Sequence, residues 1–187
     1  MRRKRFTALV FAAAVFCMTA MSGCAQGQED KEAEKEITVA INSETGTLDP
    51  ARSIALTYLA YSVSALDELL TFDENGEIEY RAAESYEVNE DSTLWTFHLR
   101  EDALWSDGTP VTAADFLNTI RRALDPASGS GYAVYLFPIE NAEAVYNGEV
   151  PIDRLGVETP DDHTLTFRLK EPCVYFLDLL RLPVYTP

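Results

Sequence analysis

Two histidines, three cysteines and 31 carboxylates are the side chains of this 187-residue chain able to act as bases, ligands or nucleophiles. Their neighbours argue against most of those roles. His98 falls on the polar side of an alternating stretch and His163 in a polar turn, settings typical of solvated or hydrogen-bonded histidines rather than of a base or metal ligand. No HExxH, CxxC or GxSxG spacing occurs, so metalloprotease, thiol-redox and nucleophile-elbow chemistry find no framework. Gly129-Ser130-Gly131 lacks a third glycine and a preceding strand, which removes a dinucleotide fingerprint. The pairs Asp67-Glu68 and Asp161-Asp162 have acid and base composition, but in a chain this acidic they read as solvated surface. The pattern argues against a hydrolase built on this segment.

The remaining chemistry lies at the start. Arg2, Arg3, Lys4 and Arg5 precede an apolar run from Phe6 to Ala20, closed by Met21-Ser22-Gly23-Cys24, the layout of an export signal. At 15 residues the run is shorter than the roughly 20 that a membrane-crossing helix needs. Ser22-Gly23-Cys24 resembles the end of a bacterial lipoprotein signal. That resemblance implies removal of residues 1–23 and acylation of Cys24 on its thiol and amine, where several acyl chains anchor durably and one would be marginal. The alternatives are an ordinary secretory signal with a chance cysteine, or an uncleaved leader in which Cys24 is buried. Cys17 lies in the signal core, so Cys173 is left alone in the exported part, without an internal disulfide partner. Its neighbours Val174, Tyr175, Phe176 and Leu177 are apolar, which reads as a buried, inert thiol rather than a reactive one.

Losing the four positive charges of residues 1–23 takes the formal net charge from −16 to −20. A protein so acidic is repelled by phosphates and anionic head groups, so nucleic acid is not an expected partner. Residues 24–36 hold the lipidation cysteine and then Ala25 to Glu36, a polar stretch with no aliphatic side chain larger than alanine. Such a stretch cannot bury enough surface to offset its ordering entropy, and it reads as a tether.

The elements expected to position any site begin at Ile37. The β-branched run Ile37 to Ile41 predicts a strand, and Leu59, Val63, Leu66 and Leu70 predict a helix burying one stripe. Asp73-Glu74-Asn75-Gly76 predicts a tight reversal. Trp95 to Arg100 and Leu165 to Lys170 alternate large apolar with polar residues, each after a polar turn, which predicts half-buried strands that can pair antiparallel in one sheet. Thr112 stands three residues before Asp115, the spacing of a capping box, for a helix with Phe116, Ile120 and Leu124 on one face that stops before Asp125-Pro126. A flexible loop is expected from Gly129, and short helices at Ile139 to Asn147 and Cys173 to Leu182. The mixture indicates an α/β or α+β domain, and the 163 or so residues after the leader suffice for one core.

Leu48-Asp49-Pro50, Ala83-Glu84-Ser85-Tyr86, the run from Trp95 to Arg100, the run from Trp105-Ser106-Asp107-Gly108-Thr109-Pro110 to Phe116, and Leu155-Gly156-Val157 together resemble the peptide-binding proteins of bacterial ABC importers, solute-binding protein family 5. Tyr132 to Leu136 and Asn141 to Val145 are similar to the oligopeptide branch rather than to relatives for dipeptides, nickel or haem. The resemblance implies a type II periplasmic-binding-protein fold, two lobes closing on the ligand with an extra domain on the first. Residues 37–71 would begin lobe I, residues 72–187 would hold the extra domain and the return toward lobe I, and the second lobe would belong to a longer protein of which this is the N-terminal fragment. It further implies a monomeric, lipid-anchored extracytoplasmic receptor with no enzymatic activity, no cofactor and no metal, which hands oligopeptides to permease and ATPase subunits. Ile54, Ala55 and Leu56 match a stretch whose backbone pairs with bound peptide, and Tyr132 matches a tyrosine lining the cleft. Backbone pairing accepts any extended peptide, and an aromatic wall covers apolar side chains without dictating their identity. The plainer alternatives are a helix start packing on the sheet for Ile54 to Leu56, and an aromatic covering the core for Tyr132. Other readings of the whole are a receptor for a nickel chelate, haem or sugar, or an exported hydrolase with its catalytic groups elsewhere.

Overall fold

The computed structural model describes residues 38, 40, 47–52 and 65–187. Two antiparallel sheets are formed there. Strands β1 (Leu70–Phe72) and β2 (Ile78–Tyr80) make a hairpin with Leu70 opposite Tyr80. The Asp73 carboxylate shapes its turn by accepting the N–H groups of Asn75 and Glu77, both at 2.8 Å. Strands β3 (Ala83–Val88), β4 (Leu94–Leu99), β5 (Val157–Asp161) and β6 (Thr164–Arg168) form a second sheet in the order β3-β4-β6-β5.

The two alternating runs seventy residues apart are indeed neighbours. β4 and β6 pair antiparallel with Trp95 opposite Phe167, Thr96 opposite Thr166 and Phe97 opposite Leu165. Because side chains alternate across a strand, this register puts Trp95, Phe97, Leu99, Leu165 and Phe167 on the buried face and the threonines on the wet one. Thr96 and Thr166 hydroxyls lie 3.4 Å apart there. Both strands start one residue earlier than the apolar pattern alone suggests, at Leu94 and Thr164, and they end one residue earlier at Leu99 and two earlier at Arg168.

Helix α1 (Ala113–Leu124) lies on the buried face, with Phe116, Ile120 and Leu124 fully buried, and packs on β5 and β6. Its capping box forms, the Asp115 carboxylate accepting the Thr112 N–H at 2.8 Å and the Thr112 hydroxyl at 2.9 Å. The Ala113 N–H donates to the Asp162 carbonyl at 2.8 Å, which fastens the helix start to the β5–β6 turn.

Three expectations need correction. The stripe from Leu59 to Leu70 is not helical to its end: Ala65 is helical, but Leu66 has no regular structure and Leu70, fully buried, opens β1, while Leu59 and Val63 lie outside the described residues. Leu70 is a strand residue packed in the core, and burial at helical spacing looks the same in sequence. The helices around residues 139–147 and 173–182 are shorter, α2 (Ala142–Tyr146) and α3 (Phe176–Leu179). Ile139 instead bridges to Leu169, and Asn141 takes a left-handed φ of 63° that stops helix from extending back. The stretch after Gly129 carries a 3-10 turn (Ala133–Leu136), so it is a shaped segment. Cys173 is buried, 5% exposed, as its apolar neighbours suggest. The strand expected at Ile37 to Ile41 falls mostly outside the described residues, where Thr38 and Ala40 have no regular structure.

Candidate functional site

The described part of the expected ligand surface is built around Tyr132, and local chemistry accounts for its presentation. α1 stops at Leu124 because proline follows at 126, and the Asp125 carboxylate accepts the Ala127 N–H at 2.9 Å to start a second, short 3-10 turn (Pro126–Ser128). Gly129, with φ 66°, ends that turn. Side-chain oxygens then take up successive backbone donors, the Ser128 hydroxyl accepting the Ser130 N–H at 3.2 Å and the Ser130 hydroxyl accepting the Tyr132 N–H at 3.3 Å.

From Tyr132 the chain enters the Ala133–Leu136 turn, closed by the Tyr135 N–H donating to the Tyr132 carbonyl at 3.0 Å. Residues three apart in a 3-10 turn share a side, so Ala133 and Leu136 are buried together while Val134 and Tyr135 face out, 55% and 44% exposed. Tyr132 is half-buried, packed on the core, and its ring centroid is 5.8 Å from that of Tyr135 at a tilt of 39°. The result is a shelf of two tyrosine rings and a valine on an otherwise buried turn. Tyr132 therefore covers the core and meets its neighbour's ring at once.

From below, the Tyr185 hydroxyl donates to the Tyr135 carbonyl at 2.9 Å. Tyr185 is 1% exposed, with its ring against Phe167 and Phe176. Burial pushes its phenol well above the usual tyrosine range, so the hydroxyl remains a donor. Sequence reasoning missed both partners. Tyr135 carried a signal, three residues from Tyr132 in a segment able to turn. Tyr185 carried none, since its contact spans fifty residues.

Ile54, Ala55, Leu56 and Cys24 lie outside the described residues. Just before that stretch, Asp49 is held by the Arg122 guanidinium of α1 in a two-pronged pair with both contacts at 2.8 Å, and its carboxylate also accepts the Ala51 N–H at 3.0 Å. The guanidinium holds the Asp49 carboxyl below the usual carboxylate range. A lowered folded-state value means that the pair stabilises above about pH 4 and that this contribution disappears as acid protonates the folded carboxylate. With Arg122 half exposed, the contribution is expected to be about 0.5–1 kcal/mol. Asp49→Asn should therefore lower the unfolding midpoint of the intact protein at neutral pH, and the difference from the parent should shrink as the pH falls below about 4. A difference that persists unchanged in acid would assign the effect to something other than this charge.

The groups that carry chemistry are not assembled for catalysis among the described residues. His98 stands 3.9 Å from Glu87 on the wet face of the sheet, and Asp161 is engaged by the His163 N–H at 2.9 Å and the Thr164 hydroxyl at 3.0 Å. Burial raises the Glu68 carboxyl, but no nucleophile is paired with it. No cluster of three or more histidine, cysteine, aspartate or glutamate side chains converges on a metal site among the described residues. No helix there is long and apolar enough to cross a membrane.

Comparison with known proteins decides the family. Residues 77–187 match the model for bacterial extracellular solute-binding proteins, family 5. The chain belongs to that family. It is 43% identical over 158 residues to the periplasmic oligopeptide-binding protein OppA of Escherichia coli K12, covering 83% of this chain and 29% of that relative. Among solved structures it is similar to the substrate-binding domain of an oligopeptide ABC transporter from Bacillus anthracis, with a TM-score of 0.76 and 40% identity over 80% of this chain and 29% of that one. The structure of Haemophilus influenzae OppA in complex with the peptide RPPGFSPFR gives a TM-score of 0.74 at 37% identity, over 78% of this chain and 29% of that one. The chain thus spans less than a third of the length of these relatives. The mixed strand and helix architecture is that of part of a periplasmic-binding-protein-like fold, and the family is one of solute-binding proteins, not enzymes.

Proposed function

We propose that this chain is the N-terminal part of an extracytoplasmic receptor that captures oligopeptides and delivers them to an ABC permease, driven by ATPase subunits, without transforming the peptide. In this reading residues 1–23 are a signal peptide, Cys24 is lipidated, residues 24–36 are the tether, residues 37–71 begin lobe I and residues 72–187 hold the extra domain and the return toward lobe I. The receptor acts as a monomer held on the membrane, where tethering raises its effective concentration at the permease. Ile54, Ala55 and Leu56 offer main chain to the peptide and Tyr132 offers its ring.

The observation that carries this reading is the half-exposed Tyr132–Tyr135 shelf in a chain of this family, because such a surface covers apolar side chains and has no group placed to cut a bond. Calorimetry of the intact protein against mixed tri- to pentapeptides tests it. Peptide binding is expected, and tight binding of a nickel chelate with no peptide signal would overturn it. Tyr132→Ala is expected to weaken binding of peptides with bulky side chains about tenfold while the protein stays folded. Unchanged affinity would remove Tyr132 from the ligand surface. The anchor is tested separately by Cys24→Ser, which should release the protein from the membrane fraction.

A further inference from the structure

We propose that Tyr185 is a positioning residue for the aromatic shelf: its buried hydroxyl, bonded to the Tyr135 carbonyl, sets the seat of the turn that presents Tyr132 and Tyr135 to a peptide side chain. The inference rests on the peptide-capture reading above and adds to it a residue with no surface of its own.

The geometry singles out this bond. The turn Ala133–Leu136 is one 3-10 turn long, held on its inner side by Ala133 and Leu136. Short 3-10 segments have poorer hydrogen-bond geometry than an α-helix and need tertiary support to hold one orientation. Tyr185 supplies support from a segment fifty residues away, with its donor 2.9 Å from the carbonyl of the residue whose ring meets Tyr132. The donor is itself fixed: the Tyr185 ring lies edge-on to Phe167 and Phe176, at centroid distances of 6.2 Å to each. Those two rings also meet each other at 5.3 Å, so the sheet, α3 and Tyr185 share one aromatic cluster, and the Tyr185 hydroxyl reaches from it to the shelf. A carbonyl held by a buried phenol cannot move with the ligand without leaving a buried donor unmade, which costs more than the bond contributes when intact. The shelf is thereby preorganised, which lowers the ordering cost of binding.

The test uses the intact protein and two tripeptides, Ala-Phe-Ala and Ala-Gly-Ala. Tyr185→Phe removes only the hydroxyl and keeps the ring contacts. It is expected to weaken Ala-Phe-Ala binding about three- to tenfold and to leave Ala-Gly-Ala within about twofold, because only the first presses a ring on the shelf. In a Tyr132→Ala background the same change should cost nothing further for Ala-Phe-Ala. Amide exchange gives a second reading that does not depend on affinity. The Phe137 N–H, which bonds to the Val134 carbonyl at 3.3 Å within the turn, should exchange faster in Tyr185→Phe, while the Phe97 and Leu165 amides in the sheet keep their parent rates. Equal losses for both peptides, a full loss retained without Tyr132, or unchanged exchange at Phe137 would each overturn the proposal. A parent protein that binds neither tripeptide nor longer peptides would instead overturn the capture reading, and this inference with it.

Discussion

Phe167→Ala is expected to destabilise the described domain by about 3–5 kcal/mol, more than any other single truncation considered. Phe167 is fully buried in β6, and its ring is shared by three neighbours: Phe97 at 5.9 Å, Phe176 at 5.3 Å and Tyr185 at 6.2 Å, all tilted or edge-on. Removing it forfeits the transfer energy of a phenyl group and opens a void between a sheet and a helix. Hydrogen-bonded strands on either side limit how far that void can close. Urea unfolding followed by tryptophan fluorescence checks the effect, since Trp95 is buried and lies 5.6 Å from Phe176. The midpoint should fall with the slope unchanged, as for a change in stability rather than in the surface exposed. A loss near 1 kcal/mol would mean that the cluster repacks, and the aromatic network would then not be the rigid base that the Tyr185 bond requires.

That network bears on how much of this protein can be read without coordinates. The two strands were legible because Trp95-Thr96-Phe97 and Leu165-Thr166-Phe167 alternate with the pleat, and α1 because Thr112, Asp115 and Pro126 mark its ends while Phe116, Ile120 and Leu124 mark its buried face. Elements whose pattern is local declare themselves. Leu70 did not, since a leucine packed in the core from a strand and one packed there from a helix face can occupy the same spacing. The short helices were overextended for a related reason: Ile139 and Cys173 are buried by a bridge and by packing, not by helical turns. The site divided along the same line. Tyr132 was reached through a motif, and Tyr135 was within reach of its spacing. Tyr185 and the pairing of Asp49 with Arg122 were not, because each joins segments that only the fold brings together.

The second large effect is expected where three main-chain segments meet with no room between them. Gly156 has an ordinary backbone angle, so conformational freedom is not why glycine stands there. A Cβ at that position would lie 2.8 Å from the Arg168 carbonyl oxygen, 2.8 Å from the Glu140 Cβ and 3.2 Å from the Glu140 nitrogen. Two of those three atoms are backbone and already bonded. The Gly156 N–H donates to the Glu140 carbonyl at 2.9 Å, the Glu140 N–H to the Arg168 carbonyl at 2.8 Å, and the Arg168 N–H to the Gly156 carbonyl at 2.8 Å. A methyl group must spread this closed set of bonds, and Gly156→Ala is expected to cost about 2–3 kcal/mol, at the upper end of overpacking penalties. Gly148→Ala is the control. At Gly148 a Cβ meets nothing within 4 Å and the cost is only the left-handed φ of 73°, about 1 kcal/mol. Thermal midpoints of the two variants should therefore rank Gly156→Ala well below Gly148→Ala. The reverse ranking would mean that the Glu140 segment yields easily. Because Glu140 lies four residues after the end of the turn that presents Tyr132 and Tyr135, a yielding segment there would also undercut the rigid seat inferred for the shelf.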